Sequence, residues 1–156
     1  MASPRLLTGR RSETGHWYVV TTVTRDRAPI FAQAEYARAV INEIGDVGEA
    51  SAQTHARVVM PDHLHWMLQL SGDQRLEQLV QRVKSKSAIA INRLRAVSGA
   101  VWQAGYFDHR LRADEGFQAQ ARYLMANPIR RGLVTRIEDY PHWWCRWVHN
   151  SADLAM

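Results

Sequence analysis

A single cysteine, Cys145, occurs among 156 residues, so no disulfide can close within the chain and no CxxC zinc site exists. Lysine is nearly as scarce, with two lysines against 18 arginines. No apolar run approaches the ~20 residues that cross a bilayer. The segment MASPRLLTGRRSETG lacks the apolar h-region of a secretory signal. No GxxxxGK[ST] phosphate loop is present, which is consistent with chemistry that requires no ATP. There is also no repeat, low-complexity tract or linker. These absences predict one domain over residues 1–156, in a reducing cytosol and away from membranes. Within it, 1–15 reads as a basic N-terminal arm and 136–156 as a Trp-rich tail.

What is present is a basic surface on an ordinary globular composition. The net charge is +5, the isoelectric point is near 9.9, and 46% of residues are apolar. Surplus positive charge favours phosphate-rich partners, and the guanidinium fork matches phosphate oxygens two at a time. GC-rich coding is an alternative source of the arginine bias but does not explain the net charge.

The most telling segment is His63-Leu-His-Trp-Met-Leu-Gln-Leu70. Its even positions are all apolar, whereas its odd positions are His, His, Met and Gln. A strand sends successive side chains to opposite faces, so Leu64, Trp66, Leu68 and Leu70 face a core while both imidazoles stand together on the other side. Two histidines at i, i+2 can share one metal ion; the plain alternative is a pair of half-exposed histidines on a polar sheet face.

Around this segment, 17–24 (WYVVTTVT) and 55–60 (HARVVM) read as strands, and Pro61-Asp62 is a tight turn that makes the second and third strands antiparallel neighbours. Apolar residues at helical spacing predict helices over about 33–44 and 74–96. A fourth strand is expected over 106–112. A last helix is expected from an Asp114 cap to Asn127, stopped by Pro128. The order strand, helix, strand, strand, helix, strand is the ferredoxin-like βαββαβ motif, an α+β fold. Both crossover helices then cover one sheet face and leave the histidine face open, with the extra helix positioned to lie across it. On that helix Tyr123 and Asn127 are one turn apart and can meet.

Together these segments resemble the HUH (His-hydrophobic-His) single-tyrosine transposases, and within them the REP-associated tyrosine transposases linked to repetitive extragenic palindromes. The resemblance rests on Met60-Pro-Asp-His63-Leu-His65 and on Arg122-Tyr123-Leu-Met-Ala-Asn127-Pro128-Ile-Arg130-Arg131-Gly-Leu-Val134. Gly9-Arg10-Arg11 leading to Trp17-Tyr-Val-Val-Thr21 and Val101-Trp-Gln-Ala-Gly-Tyr-Phe-Asp-His109 agree as well, so it spans roughly residues 5 to 135.

The resemblance implies a single-stranded DNA endonuclease and strand transferase acting on DNA hairpins, nucleoid-associated in a bacterial cytoplasm and working as a monomer or homodimer. Tyr123 would be the nucleophile that becomes 5′-phosphotyrosine. His63 and His65 would hold a divalent ion, Mg²⁺ or Mn²⁺. Asn127 stands where related insertion-sequence enzymes carry glutamine; being one methylene shorter, it fits a direct metal contact or a helix-end role equally well. The chemistry needs such groups because a phenol, with pKa near 10, is a weak nucleophile at neutral pH, and attack on a phosphodiester builds negative charge that a cation offsets. Two imidazoles leave coordination positions open, unlike a closed four-ligand structural zinc site.

Other residues have two readings each. Arg10, Arg11, Arg130 and Arg131 are candidate DNA contacts. Lys84 and Lys86, with Arg82, Arg93 and Arg95, form either a DNA-binding or a merely solvated helix face. Asp108 and His109 alternate, so only one can face the site, with Asp108 the candidate for a supporting hydrogen bond. Trp143, Trp144 and Trp147 suit a small satellite core or a base-stacking platform. The competing function is a non-catalytic ferredoxin-like nucleic-acid-binding module, although no RNP1-like stretch is present. A zinc hydrolase lacks a third strong ligand, since His55 and His109 fall on other strands.

Overall fold

The computed structural model describes residues 14–155; Arg10 and Arg11 lie outside them. Five strands, β1 (Trp17–Val23), β2 (Ala52–Met60), β3 (His63–Leu70), β4 (Phe107–Leu111) and β5 (Trp143–Cys145), form one sheet. Their order is β4-β1-β3-β2-β5, and every neighbouring pair is antiparallel. The first four strands, with α1 (Ala34–Gly45) after β1 and α2 (Leu76–Arg95) after β3, reproduce the expected βαββαβ arrangement. The edge strand β5 was not expected. It has only three residues, and they include the tryptophans that read as a cluster rather than a strand.

The alternation in β3 divides two cores. Leu64, Trp66, Leu68 and Leu70 pack with Tyr18 and Val20 of β1 against Val40 and Ile44 of α1 and Leu79, Val80 and Val83 of α2. The opposite face was expected to be open and is largely covered. Ala56, Val58, Met60 and Met67 pack there against Ala121, Leu124 and Met125, with Ile137, Tyr140 and Val148 of the tail closing the far side. Burying a leucine or methionine contributes about 1.5–3 kcal/mol. The helix that bears Tyr123 is therefore fixed on the sheet by packing, not left as a mobile appendage.

That helix differs from the expected single run. Ala113–Glu115 form a separate 3-10 turn, tied back to β4 by hydrogen bonds from His109 Nε2 and the Arg112 amide to the Glu115 carboxylate, both 2.7 Å. Gly116, with φ +75°, then redirects the chain, a conformation open to a residue without Cβ. Helix α3 runs Phe117–Met125 and α4 runs Asn127–Arg130. Asp114 is thus not its cap. Pro128 opens α4 instead of terminating the helix, since the first helical turn does not require its missing N–H.

One further expectation changes, and one is met in part. Lys84 was read as part of a DNA-binding or solvated face, yet it is buried and donates to the carbonyls of Gln103 (2.8 Å) and Gly105 (2.6 Å). It closes the loop before β4. Of the tail tryptophans, Trp143 and Trp147 pack on the second core, as the satellite-core reading has it, whereas Trp144 is exposed: Trp17 stacks between His55 (3.9 Å) and Phe117 (4.0 Å), with Trp147 6.1 Å away. The Tyr140 hydroxyl donates to the Val59 carbonyl at 2.5 Å, and burial pushes its pKa up to about 12.

Two stability outcomes follow from these buried polar groups. Lys84→Met leaves two loop carbonyls without their donor and should lower urea-unfolding stability by about 1–3 kcal/mol. Tyr140→Phe should cost about 1 kcal/mol near pH 8 and flatten the alkaline limb. Because the folded pKa lies above the unfolded value near 10, the native state holds the extra proton between pH 10 and about 12. Wild-type stability should therefore fall with rising pH across that window, and the variant should lack that component of the fall.

Candidate active site

The register of β3 between its neighbours assembles the site. His65 pairs with Thr21 of β1 and Val58 of β2, and His63 pairs with Val23 and Met60. Cross-strand partners share a face, so both imidazoles stand on the side covered by α3. Their ring centroids are 4.7 Å apart at 79°. They line a cleft of about 360 Å³ together with Tyr123, Asn127, Arg130 and Arg131. Every side chain expected to take part in the chemistry thus meets in one place.

Each imidazole has one nitrogen secured by the protein. His63 Nδ1 lies 2.7 Å from Asp62 Oδ1, and Arg27 donates to the other Asp62 oxygen at 3.1 Å. Burial opposes ionisation of Asp62, but the hydrogen bonds from His63 and Arg27 outweigh it and hold the carboxyl below its usual range. An ionised carboxylate only accepts, so His63 carries its proton on Nδ1 and offers the Nε2 lone pair. For His65, Nδ1 pairs with the Thr21 hydroxyl at 2.8 Å, which leaves its Nε2 without a partner among the described residues.

Electrostatics keep both rings neutral. Burial lowers the pKa of His65 to about 3, with His63, Arg130 and Arg131 adding repulsion. Burial also lowers that of His63, and the Asp62 carboxylate offsets part of the effect. Neutral imidazole is the metal-binding form, and a carboxylate behind a ligating histidine orients it and raises its basicity.

Asn127 is buried, its amide nitrogen 3.5 Å from His63 Nε2. Two atoms bound to one ion at about 2.1 Å are separated by about 3.0–3.4 Å, and turning the amide places its oxygen on that side. The donor set therefore fits a divalent cation held by His63, His65 and the Asn127 amide, with positions left over. Among the described residues no group of three His, Cys, Asp or Glu side chains could hold a metal.

Tyr123 is 63% exposed, although one turn away Asn127 is buried. The Arg130 guanidinium lies 4.0 Å over its ring and donates to its carbonyl at 2.7 Å. Arg27, Arg130 and Arg131 give the cleft a positive rim around the neutral imidazoles. Arg27 was missed in the sequence. It lies in a tight turn where Asp26 and Arg27 both adopt left-handed backbone, φ +56° and +54°, and strain of this kind collects at functional sites. Thr21 was also missed, because only the strand register shows that it faces His65.

Other candidates are not brought here. Lys86 is exposed on α2, in the helical layer behind the sheet, as is the buried Lys84. Asp108 pairs with Val20, which faces the helical layer, so it does not support the histidines. His109 lies on the cleft side of β4 but is bound to Glu115.

Comparison with known proteins identifies the family. The family model described as "Transposase IS200 like" matches residues 12–127. A protein of Haemophilus influenzae described as a REP-associated tyrosine transposase is 24% identical over 143 residues, spanning 82% of this chain and 78% of its own. The solved structure of a REP-associated tyrosine transposase bound to a REP hairpin superimposes with a TM-score of 0.72 at 20% identity, covering 92% of this chain and 82% of that one. A structure from Deinococcus radiodurans, described as a transposase, matches with a TM-score of 0.52 at 19% identity, over 78% of this chain and 97% of its own. At these identities the two structures establish the shared fold, and the family match over most of the chain carries the assignment: the protein belongs to the IS200-like transposase family of DNA-processing enzymes.

Proposed function

We propose that this chain is a metal-dependent single-stranded DNA endonuclease and strand transferase that acts through a 5′-phosphotyrosine at Tyr123. The observation that carries the reading is the single cleft shared by Tyr123, two neutral imidazoles and a rim of arginines. Hairpins from palindromic repeats are the proposed substrates, by similarity to a relative whose structure was solved on a REP hairpin.

In this reading, Arg130 and Arg131 receive the backbone phosphate at the mouth of the cleft, where the guanidinium fork fits two phosphate oxygens. His63, His65 and Asn127 would hold a divalent ion, which would supply Lewis-acid polarisation of that phosphate. Arg130, stacked on the Tyr123 ring, restricts the phenol to the cleft wall and sets positive charge beside the attacking oxygen. Tyr123 Oη attacks phosphorus, the bond from phosphorus to the 3′-oxygen breaks, and the phenolic proton passes to water. The 3′-oxygen leaves and is protonated. Attack by a free 3′-hydroxyl on the phosphotyrosine reverses these steps and rejoins a strand, so the phosphoester bond is conserved and no nucleotide triphosphate is consumed.

A hairpin oligonucleotide labelled at its 3′ end should give a covalent protein–DNA band on a denaturing gel in Mn²⁺, and none in EDTA. The same oligonucleotide labelled at its 5′ end should instead yield a free fragment. Tyr123→Phe should abolish the band, while His63→Ala and His65→Ala should slow its formation by about 100-fold or more. A band that persists in Tyr123→Phe, or tight binding in EDTA with no cleavage in any metal, would overturn the reading; the latter would identify a binding module.

Asp62→Asn keeps the shape behind His63 but removes the carboxylate charge. It should raise the Mn²⁺ concentration needed for half-maximal adduct formation about 10- to 100-fold, with the rate recovering at high metal. An unchanged metal requirement would show that Asp62 does not support the ligand.

A further inference from the structure

On the opposite face of the sheet lies a second pocket, of about 610 Å³, between the end of α1 and the β2–β5 edge. Its size falls within the range of small-ligand sites, about 300–1,000 Å³. Arg57 of β2 pairs with Trp66 of β3 on one side and with Trp144 of β5 on the other. Trp66 belongs to the helical core, so Arg57 and Trp144 both face the helical layer, away from Tyr123. None of the chemistry described above uses them.

Two features set this pocket apart from a packing defect. Arg57 is half-buried and has no hydrogen-bond or ion-pair partner among the described residues. Sheltered guanidiniums are ordinarily paired. Beside it Trp144, a large apolar ring, is 42% exposed at the outermost strand, although Trp66, also on this face, is fully buried with its indole N–H on Thr54 at 2.9 Å.

The rest of the lining narrows the ligand class. Asp46 and Glu49 stand at the rim together with the C-terminal turn of α1. A helix C-terminus carries partial negative charge, and with two carboxylates beside it a phosphate would be repelled. The pocket thus offers one forked cation, an aromatic plane and a set of acceptors. A guanine ring answers all three: O6 and N7 accept from a guanidinium fork, N1–H and the 2-amino group donate to acceptors on another edge, and the π-face stacks on indole.

We propose that this pocket binds one unpaired guanine of a DNA strand, with Arg57 reading its O6/N7 edge, Trp144 stacking on its face and Asp46 or Glu49 accepting from its Watson–Crick edge. The proposal rests on the single-stranded DNA reading above and adds a base-specific subsite remote from the cleavage cleft. The strand would reach it by passing around the short edge strand β5. An unpaired base is required because these groups contact edges and faces that pairing and stacking conceal.

The test measures binding without chemistry, using Tyr123→Phe protein in EDTA and fluorescence anisotropy. The probes are a labelled short oligothymidylate and the same strand with one central guanine, adenine or cytosine. The guanine strand should bind about tenfold more tightly than the other three. Trp144→Ala, at an exposed position, and Arg57→Lys, which keeps the charge but loses the fork, should each bring the four affinities to within about twofold of one another. Equal affinities in the parent protein, or a guanine preference that survives Trp144→Ala, would overturn the subsite while leaving the strand-binding reading intact. No binding of any of the four strands would overturn the subsite, and the adduct assay on the hairpin would still decide the strand-transfer reading separately.

Discussion

The register of β3 between β1 and β2 is the constraint on which the molecule depends. Thr21, His65 and Val58 lie in one cross-strand row, and Val23, His63 and Met60 in the next. Sliding β3 by one residue would exchange its two faces, sending both imidazoles into a core made of Leu79, Val80 and Val83 and forcing Trp66 into the second core beneath Leu124 and Met125. Burial of Leu64, Trp66, Leu68 and Leu70 holds the register against that slip. The hydrophobic core on one side of the sheet thereby sets the position of polar chemistry on the other.

The same burial determines the protonation of the pair. Two imidazoles with centroids 4.7 Å apart cannot both hold charge cheaply in a sheltered site. The surrounding arginines add to the penalty. Asp62 moderates it for His63 without delivering a proton, because its hydrogen bonds with His63 and Arg27 keep the carboxylate ionised. The result is a pair of neutral donors beneath a positive rim: lone pairs for a cation below, guanidiniums for an anion above. A phosphate–cation pair has the charge distribution that such a site complements.

Much of this was legible in the sequence, and for a definite reason. The period of two in His63 to Leu70 gave strand bounds that match the structure, and the helical periods of α1 and α2 lay within two residues of their observed ends. Those signals are local. What sequence did not reveal depends on contacts far apart in the chain. Met67 and Val58 look like ordinary strand residues until Leu124, Met125 and Tyr140 close over them as a second core. Lys84 looks like a solvated cation until the loop carbonyls of Gln103 and Gly105 fold back onto it. Thr21 and Arg27 lie some 40 residues from the histidines they serve and carry no motif of their own. The meeting of Tyr123 and Asn127 with the histidines was foreseen, but only on the condition that the last helix crosses the sheet.

That crossing places the two helix residues on opposite sides of a boundary. A separation of four residues on a helix rotates by about 40°, enough to pass from protein interior to solvent when a helix lies half-sunk on a sheet. Asn127 is 5% exposed and Tyr123 is 63% exposed, with Leu124 and Met125 packed beneath. The phenol therefore stands in water at the rim, while the amide reaches His63 in the floor. A phosphate drawn to the arginines would come to rest between them, with one side toward the imidazole floor and the other toward the phenol. In-line attack sets the nucleophile opposite the leaving 3′-oxygen, so in the proposed reaction the phenol would stand apart from a cation held against the phosphate's non-bridging oxygens. A one-turn offset on a half-buried helix supplies that separation from backbone geometry alone. The interruption at Ala126, where ψ is −7° before Asn127 and Pro128 open α4, separates α3 from the turn that carries Arg130 over the Tyr123 ring.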